Sequence, residues 1–156
     1  GVVGGKKEIM SLFDSPDPKK RVLIAGTYNA HPVNAAAAVA TLNILRDSKV
    51  YEHIDAVSER LYSGLRKIFA DKGREMTLVN NASAFCTYFC ASAPADLHEI
   101  LENHDFDFDL KFRKKLIQNG IYHIPIACKQ GSVSYAHSEE DIDKTLEISW
   151  DILKNM

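Results

Sequence analysis

Gly26 and Thr27 stand where a small anion could be held. Ahead of them Val22-Leu23-Ile24-Ala25 is a short apolar run with strand character. Behind them Pro32 fits the first turn of a helix, where its missing N–H costs nothing. A strand end, a glycine turn, a hydroxyl and a helix N-terminus together offer free N–H groups and the positive end of a helix dipole. The chemistry that this combination serves is phosphate binding. The other patterns with chemical potential fail on inspection. Asp105-Phe106-Asp107-Phe108-Asp109 starts like a calcium loop but lacks glycine at its sixth position and has Leu116 where a glutamate should close the site. It reads as an acidic lead-in to a helix. His98-Glu99 opens like a zinc-protease motif, yet residue 102 is Glu rather than His. No Gly-x-Ser-x-Gly elbow is present. Cys86, Cys90 and Cys128 read as buried packing residues.

These residues need elements to hold them. Lys6 to Leu12 has a short helical pattern that the two prolines of Asp14-Ser15-Pro16-Asp17-Pro18 stop. The segment from Pro32 to about Arg46 is alanine-rich and apolar nearly all round, which predicts a buried helix. Ile54, Val57, Leu61, Leu65 and Ile68 form a one-sided stripe on a helix over 51–72, with Gly73 as its stop. Thr77 to Val79 and Ala84 to Cys90 read as strands, and 94–102 as a short helix with Leu97, Ile100 and Leu101 inward. A helix over 109–118 should bury Leu110, the stem of Arg113, Leu116 and Ile117. Ile121 to Ile124 and Ser132 to Ala136 are further strand candidates. Ser138 to Asp141 forms a capping box for a last helix that buries Ile142, Leu146, Ser149 and Leu153. A few short strands mixed with helices make an α/β or α+β layer after about residue 47.

Composition narrows the function. The 156 residues carry 19 basic and 21 acidic side chains for a net charge of −2. A protein that tracks nucleic-acid phosphates would be basic. No apolar run approaches the roughly 20 residues that span a bilayer. Three cysteines without CxxC spacing argue for a reducing compartment and a cytoplasmic protein. Gly1-Val2-Val3-Gly4-Gly5 reads as the end of a strand begun earlier, so the chain is expected to be a piece of a longer protein.

The run Gly26-Thr27-Tyr28-Asn29-Ala30-His31-Pro32-Val33-Asn34-Ala35-Ala36-Ala37 resembles the Gly-Thr…Asn-Pro…Ala-Ala-Gly segment of the class-III pyridoxal-phosphate aminotransferases, most of all their glutamate-1-semialdehyde aminomutase branch. Two more segments agree in order. Gly1 to Met10 looks like the stretch after the family's Schiff-base lysine, and Gly120 to Pro125 with Ser132 to Ile142 looks like its C-terminal strands and last helix.

The resemblance implies the C-terminal portion of a fold type I chain. Residues 1–31 would end the large cofactor-binding domain, 32–46 would be a linking helix, and 47–156 a small α/β C-terminal domain. It implies pyridoxal 5′-phosphate, a homodimer with a shared active site, and a small amino-acid or amine substrate. Gly26 and Thr27 would bind the cofactor phosphate of the neighbouring subunit. The chemistry implied is amino transfer through a cofactor imine, with the cofactor ring as electron sink. The reactive lysine would lie just before Gly1, so the full-length protein is the enzyme and this chain alone is expected to be inactive. Lys6 and Lys7 read as solvated charges. Two departures bear on the subtype: His31 replaces the family's Asn before the proline, and Lys129 stands where the aminomutase has a substrate-side glutamate. The reversed charge should change which substrate fits. A noncatalytic dimerisation or phosphate-ligand-binding module would share the same turn.

Overall fold

A computed structural model describes all of residues 1–156, which divide into two compact units, Gly1–Asp47 and Ser48–Met156. The first contains α1 (Lys7–Met10), a 3-10 turn (Ser11–Asp14) and α2 (Pro32–Leu45). None of its side chains is buried. The expected strand at Val22–Ala25 is absent, as is strand structure at Val2 and Val3. A strand exists through its ladder, and this unit offers those residues no partner strand. The expected burial of α2 is likewise overturned: Val33, Val39, Leu42 and Ile44 are all exposed, because no other element of its own unit packs against the helix.

The second unit holds α3 (Ser48–Asp71), β1 (Thr77–Asn81), β2 (Ala84–Tyr88), α4 (Leu97–Asn103), α5 (Phe106–Gln118), β3 (Gly131–Ser132) and α6 (Glu139–Lys154). β1 and β2 form an antiparallel hairpin with Val79 opposite Cys86, and β3 pairs antiparallel with β2. Leu78 and Phe85 turn inward under the helices, while Val79 and Tyr88 fall on the alternate face. The α3 stripe behaves as its spacing predicts: Val57, Leu61, Leu65 and Ile68 are buried, and Gly73 ends the helix with φ +62°. α6 packs against α3 and starts at the capping box, where Ser138 Oγ accepts from Asp141 N–H at 3.1 Å and Asp141 Oδ2 accepts from Ser138 N–H at 2.9 Å. Gly64 permits that approach, since a Cβ there would lie 2.4 Å from Leu146 Cδ1. The core is aromatic at its centre, with Phe69 ringed by Phe89 at 5.4 Å, Phe112 at 5.5 Å and Phe108 at 6.3 Å between ring centroids.

Several details differ from expectation. Leu97 and Leu101 of α4 are exposed rather than inward, because α4 lies against no other element. α5 is rotated from its expected face: Phe108, Asp109, Phe112, Arg113 and Leu116 are buried, while Leu110 and Ile117 are exposed. The aromatic rings outweigh the aliphatic residues in setting that face. Ile121–Ile124 forms no strand, and the strand expected over Ser132–Ala136 is confined to Gly131–Ser132. No helix is long and apolar enough to cross a membrane.

Candidate functional site

The turn before α2 is built from short-range bonds. Asn29 N–H donates to the Gly26 carbonyl at 3.0 Å and His31 N–H to the Tyr28 carbonyl at 3.2 Å. Ala30 has φ +55°. His31 caps α2, its Nδ1 accepting from Val33 N–H at 3.3 Å. A Cβ at Gly26 would meet Asn29 Oδ1 at 2.8 Å, so the turn closes tightly over a bare position. The N–H groups of Thr27 and Tyr28 and the Thr27 hydroxyl bond to nothing in the chain, and all three lie at the surface. Two adjacent amides and a hydroxyl beside a helix N-terminus suit phosphate oxygens, so this donor set fits the phosphate that the sequence led us to expect. Lys6 and Lys7 are exposed at the start of α1. No lysine of the chain is buried. A lysine that works as a nucleophile is activated by desolvation or by a neighbouring cation, and the exposure of Lys6 and Lys7 supplies no desolvation.

The second unit contains a polar cluster that the sequence analysis did not single out. Asp109 and Arg113, one helical turn apart on α5, are 0% and 1% exposed. Arg113 Nε donates to Asp109 Oδ1. Asp109 Oδ2 accepts from Cys128 N–H at 2.8 Å and lies 3.1 Å from His104 Nε2. Arg113 Nη1 reaches His123 Nδ1 at 2.6 Å. The legible signal was the i,i+4 acid–base spacing of residues 109 and 113. It went unread because a buried arginine is rare, and only its stem was expected inside.

This cluster invites a metal reading, since one ligand atom each from His104, Asp109 and Cys128 lie within 4.8 Å of one another. Hydrogen bonding argues against it. Phe89 N–H donates to His104 Nδ1 at 3.1 Å, so that nitrogen is an acceptor and the ring proton sits on Nε2, facing Asp109. A metal would need the Nε2 lone pair. The thiols are equally quiet. Burial, and then the Asp109 charge, push the Cys128 thiol up to about 11, and burial raises Cys86 and Cys90. Reactive cysteines have the opposite shift.

Burial first, and the Arg113 charge second, hold His123 below its ordinary value of 6.5. The unfolded chain therefore takes up this proton before the folded one does. The stability that His123 contributes is present above its ordinary pKa and is lost as pH falls through its lower folded value. Urea unfolding of the chain should show a lower midpoint at pH 5 than at pH 7.5. In His123→Gln, whose amide oxygen can still accept from Arg113, that pH difference should shrink; an unchanged difference would rule out His123 as a source.

Comparison with known proteins places these observations. The family model described as Aminotransferase class-III matches residues 1–153. A glutamate-1-semialdehyde 2,1-aminomutase of Archaeoglobus fulgidus is 33% identical over 147 residues, covering 94% of this chain and 34% of the relative. The chain thus spans about a third of the length of the curated relatives it matches. Among solved structures, an omega-transaminase from Sphaerobacter thermophilus superposes with a TM-score of 0.79 over 97% of this chain and 34% of its own, at 19% identity. A transaminase described as having PLP bound superposes with a TM-score of 0.77 over the same shares, at 25% identity.

Proposed function

This chain belongs to the aminotransferase class-III family, and we propose that it is the C-terminal part of a pyridoxal-phosphate-dependent aminotransferase or aminomutase-like enzyme. Its fold is that of the matching third of a transaminase chain. In this reading residues 1–31 end the large domain, 32–46 link, and 47–156 form the small domain. The enzyme works as a cytoplasmic homodimer on a small amino-acid or amine substrate. The observation that carries the reading is the turn at Gly26-Thr27-Tyr28, whose free donors lie in the segment that resembles the family's phosphate-binding run.

Pyridoxal phosphate supplies an electron sink for the amino group's carbon. What this chain supplies is grip. Thr27 Oγ and the N–H groups of residues 27 and 28 would hold phosphate oxygens of the cofactor of the neighbouring subunit, and the α2 dipole would add to the attraction. Gly26, with no side chain, leaves room for the Asn29 side chain that folds over it. In this reading the proton-transferring lysine lies outside this chain, which agrees with the absence of any buried lysine here. Lys129, exposed in the loop after α5, replaces a carboxylate by a cation and would favour substrates with an additional negative group.

In the full-length dimer, Thr27→Ala should weaken cofactor retention about tenfold or more, the effect of losing one hydrogen bond to a charged group. Thr27→Ser should retain most of the affinity. Equal retention by wild type and Thr27→Ala, measured by cofactor absorbance after dialysis, would overturn the assignment.

A further inference from the structure

The loop from Tyr122 to Gln130 connects α5 to β3 and contains neither helix nor strand. Its partly buried backbone groups therefore need partners other than a ladder. Three of them find those partners on one pair of side chains. Cys128 N–H donates to Asp109 Oδ2 at 2.8 Å, and Arg113 Nη1 donates to the carbonyls of Ile124 at 3.2 Å and Lys129 at 3.3 Å. The His123 ring joins through Nδ1. Within this span Cys128 has φ +54°, a conformation that L side chains rarely adopt. The residue in that conformation is the one whose N–H is tied to the buried carboxylate.

We infer that the Asp109–Arg113 pair is a buried clamp that holds the Tyr122–Gln130 loop in a single shape, and that this is its contribution in place of added stability for α5. Two observations separate a clamp from plain packing. First, a buried ion pair commonly adds no stability over an apolar pair of similar volume, so stability gives no reason for it. Second, the donors are distributed unevenly. Nη1 of Arg113 serves three acceptors between residues 123 and 129, whereas Nη2 has no partner at all. A pair that served α5 alone would have no need to crowd one nitrogen and orphan the other. Asp109 follows the same logic, giving Oδ1 to Arg113 and Oδ2 to the loop and His104. All members of the clamp lie within the second unit, and the hydrogen bonds that define it are observed whether or not the cofactor reading holds.

The test is native-state hydrogen exchange on the 156-residue chain. In the wild type, the Cys128 amide should exchange through the same opening as the amides of Phe112 and Leu116 in α5, although it lies in a loop. A Cys128 amide that exchanges a hundredfold faster than those two would overturn the clamp without any variant. In Asp109→Leu/Arg113→Met, protection at Cys128 should fall at least a hundredfold while Leu61 and Leu65 in α3 keep theirs. Loss at residue 128 merely in step with Leu61 and Leu65 would reduce the pair to core packing. If the double variant does not fold, Arg113→Lys keeps the cation but loses the planar fork. Alkylation of the Cys128 thiol should then rise about tenfold at an unchanged unfolding midpoint, and an unchanged rate would contradict the proposal.

Discussion

Phe69→Ala should destabilise the Ser48–Met156 unit by about 3–5 kcal/mol, the cost of removing a large aromatic ring from a packed core. Phe69 is 2% exposed and touches the rings of Phe89, Phe108 and Phe112, so it joins α3, the segment after β2, and α5 at one point. The hole cannot collapse easily, because each ring is held by the others. Domains of this size have a total stability of about 5–15 kcal/mol, so the loss removes a large fraction of it. Urea denaturation followed by far-UV circular dichroism should show the midpoint fall with little change in slope. A shift below about 1 kcal/mol would mean that the ring cluster is not the centre of the core.

Separating the chain between Asp47 and Ser48 should have the second large effect. Residues 48–156 alone should unfold cooperatively, since every buried side chain of the protein lies there. Residues 1–47 alone should give the spectrum of an unfolded peptide. The helix α2 has 14 residues, and isolated helices shorter than about 12–15 residues are marginal in water. Val22, Leu23, Ile24, Val33, Val39, Leu42 and Ile44 are all exposed, an apolar share that water does not favour leaving uncovered. The full chain should therefore self-associate more than residues 48–156, as read by light scattering at equal concentration. A monomeric full chain with a helical 1–47 peptide would contradict this division.

The elements visible in the sequence were those whose cause is local or periodic. The α3 stripe, the Gly73 stop and the Ser138–Asp141 box each follow from spacing within one element, and all three stand in the structure. What the sequence did not reveal depends on partners distant along the chain. Val22–Ala25 has strand composition but finds no ladder in its unit, and α2 has the composition of a buried helix without anything over it. The face of α5 differs from expectation because the rings of Phe69 and Phe89, from elsewhere in the chain, pack on Phe108 and Phe112 and leave Leu110 and Ile117 outside. The turn before α2 was readable from Gly26, Thr27 and Pro32 as types in order, and its free donors support the phosphate role proposed for it. The Asp109–Arg113 cluster was not readable, since its meaning comes from a loop ten to twenty residues further on.

The most direct test of the central claim is to trap lysine. Incubated with pyridoxal phosphate and reduced with borohydride, the 156-residue chain should carry scattered adducts well below one per molecule and show no amino transfer, because none of its lysines is buried. A single stoichiometric lysine adduct, mapped by mass spectrometry and accompanied by turnover, would contradict the account that the reactive amine lies elsewhere.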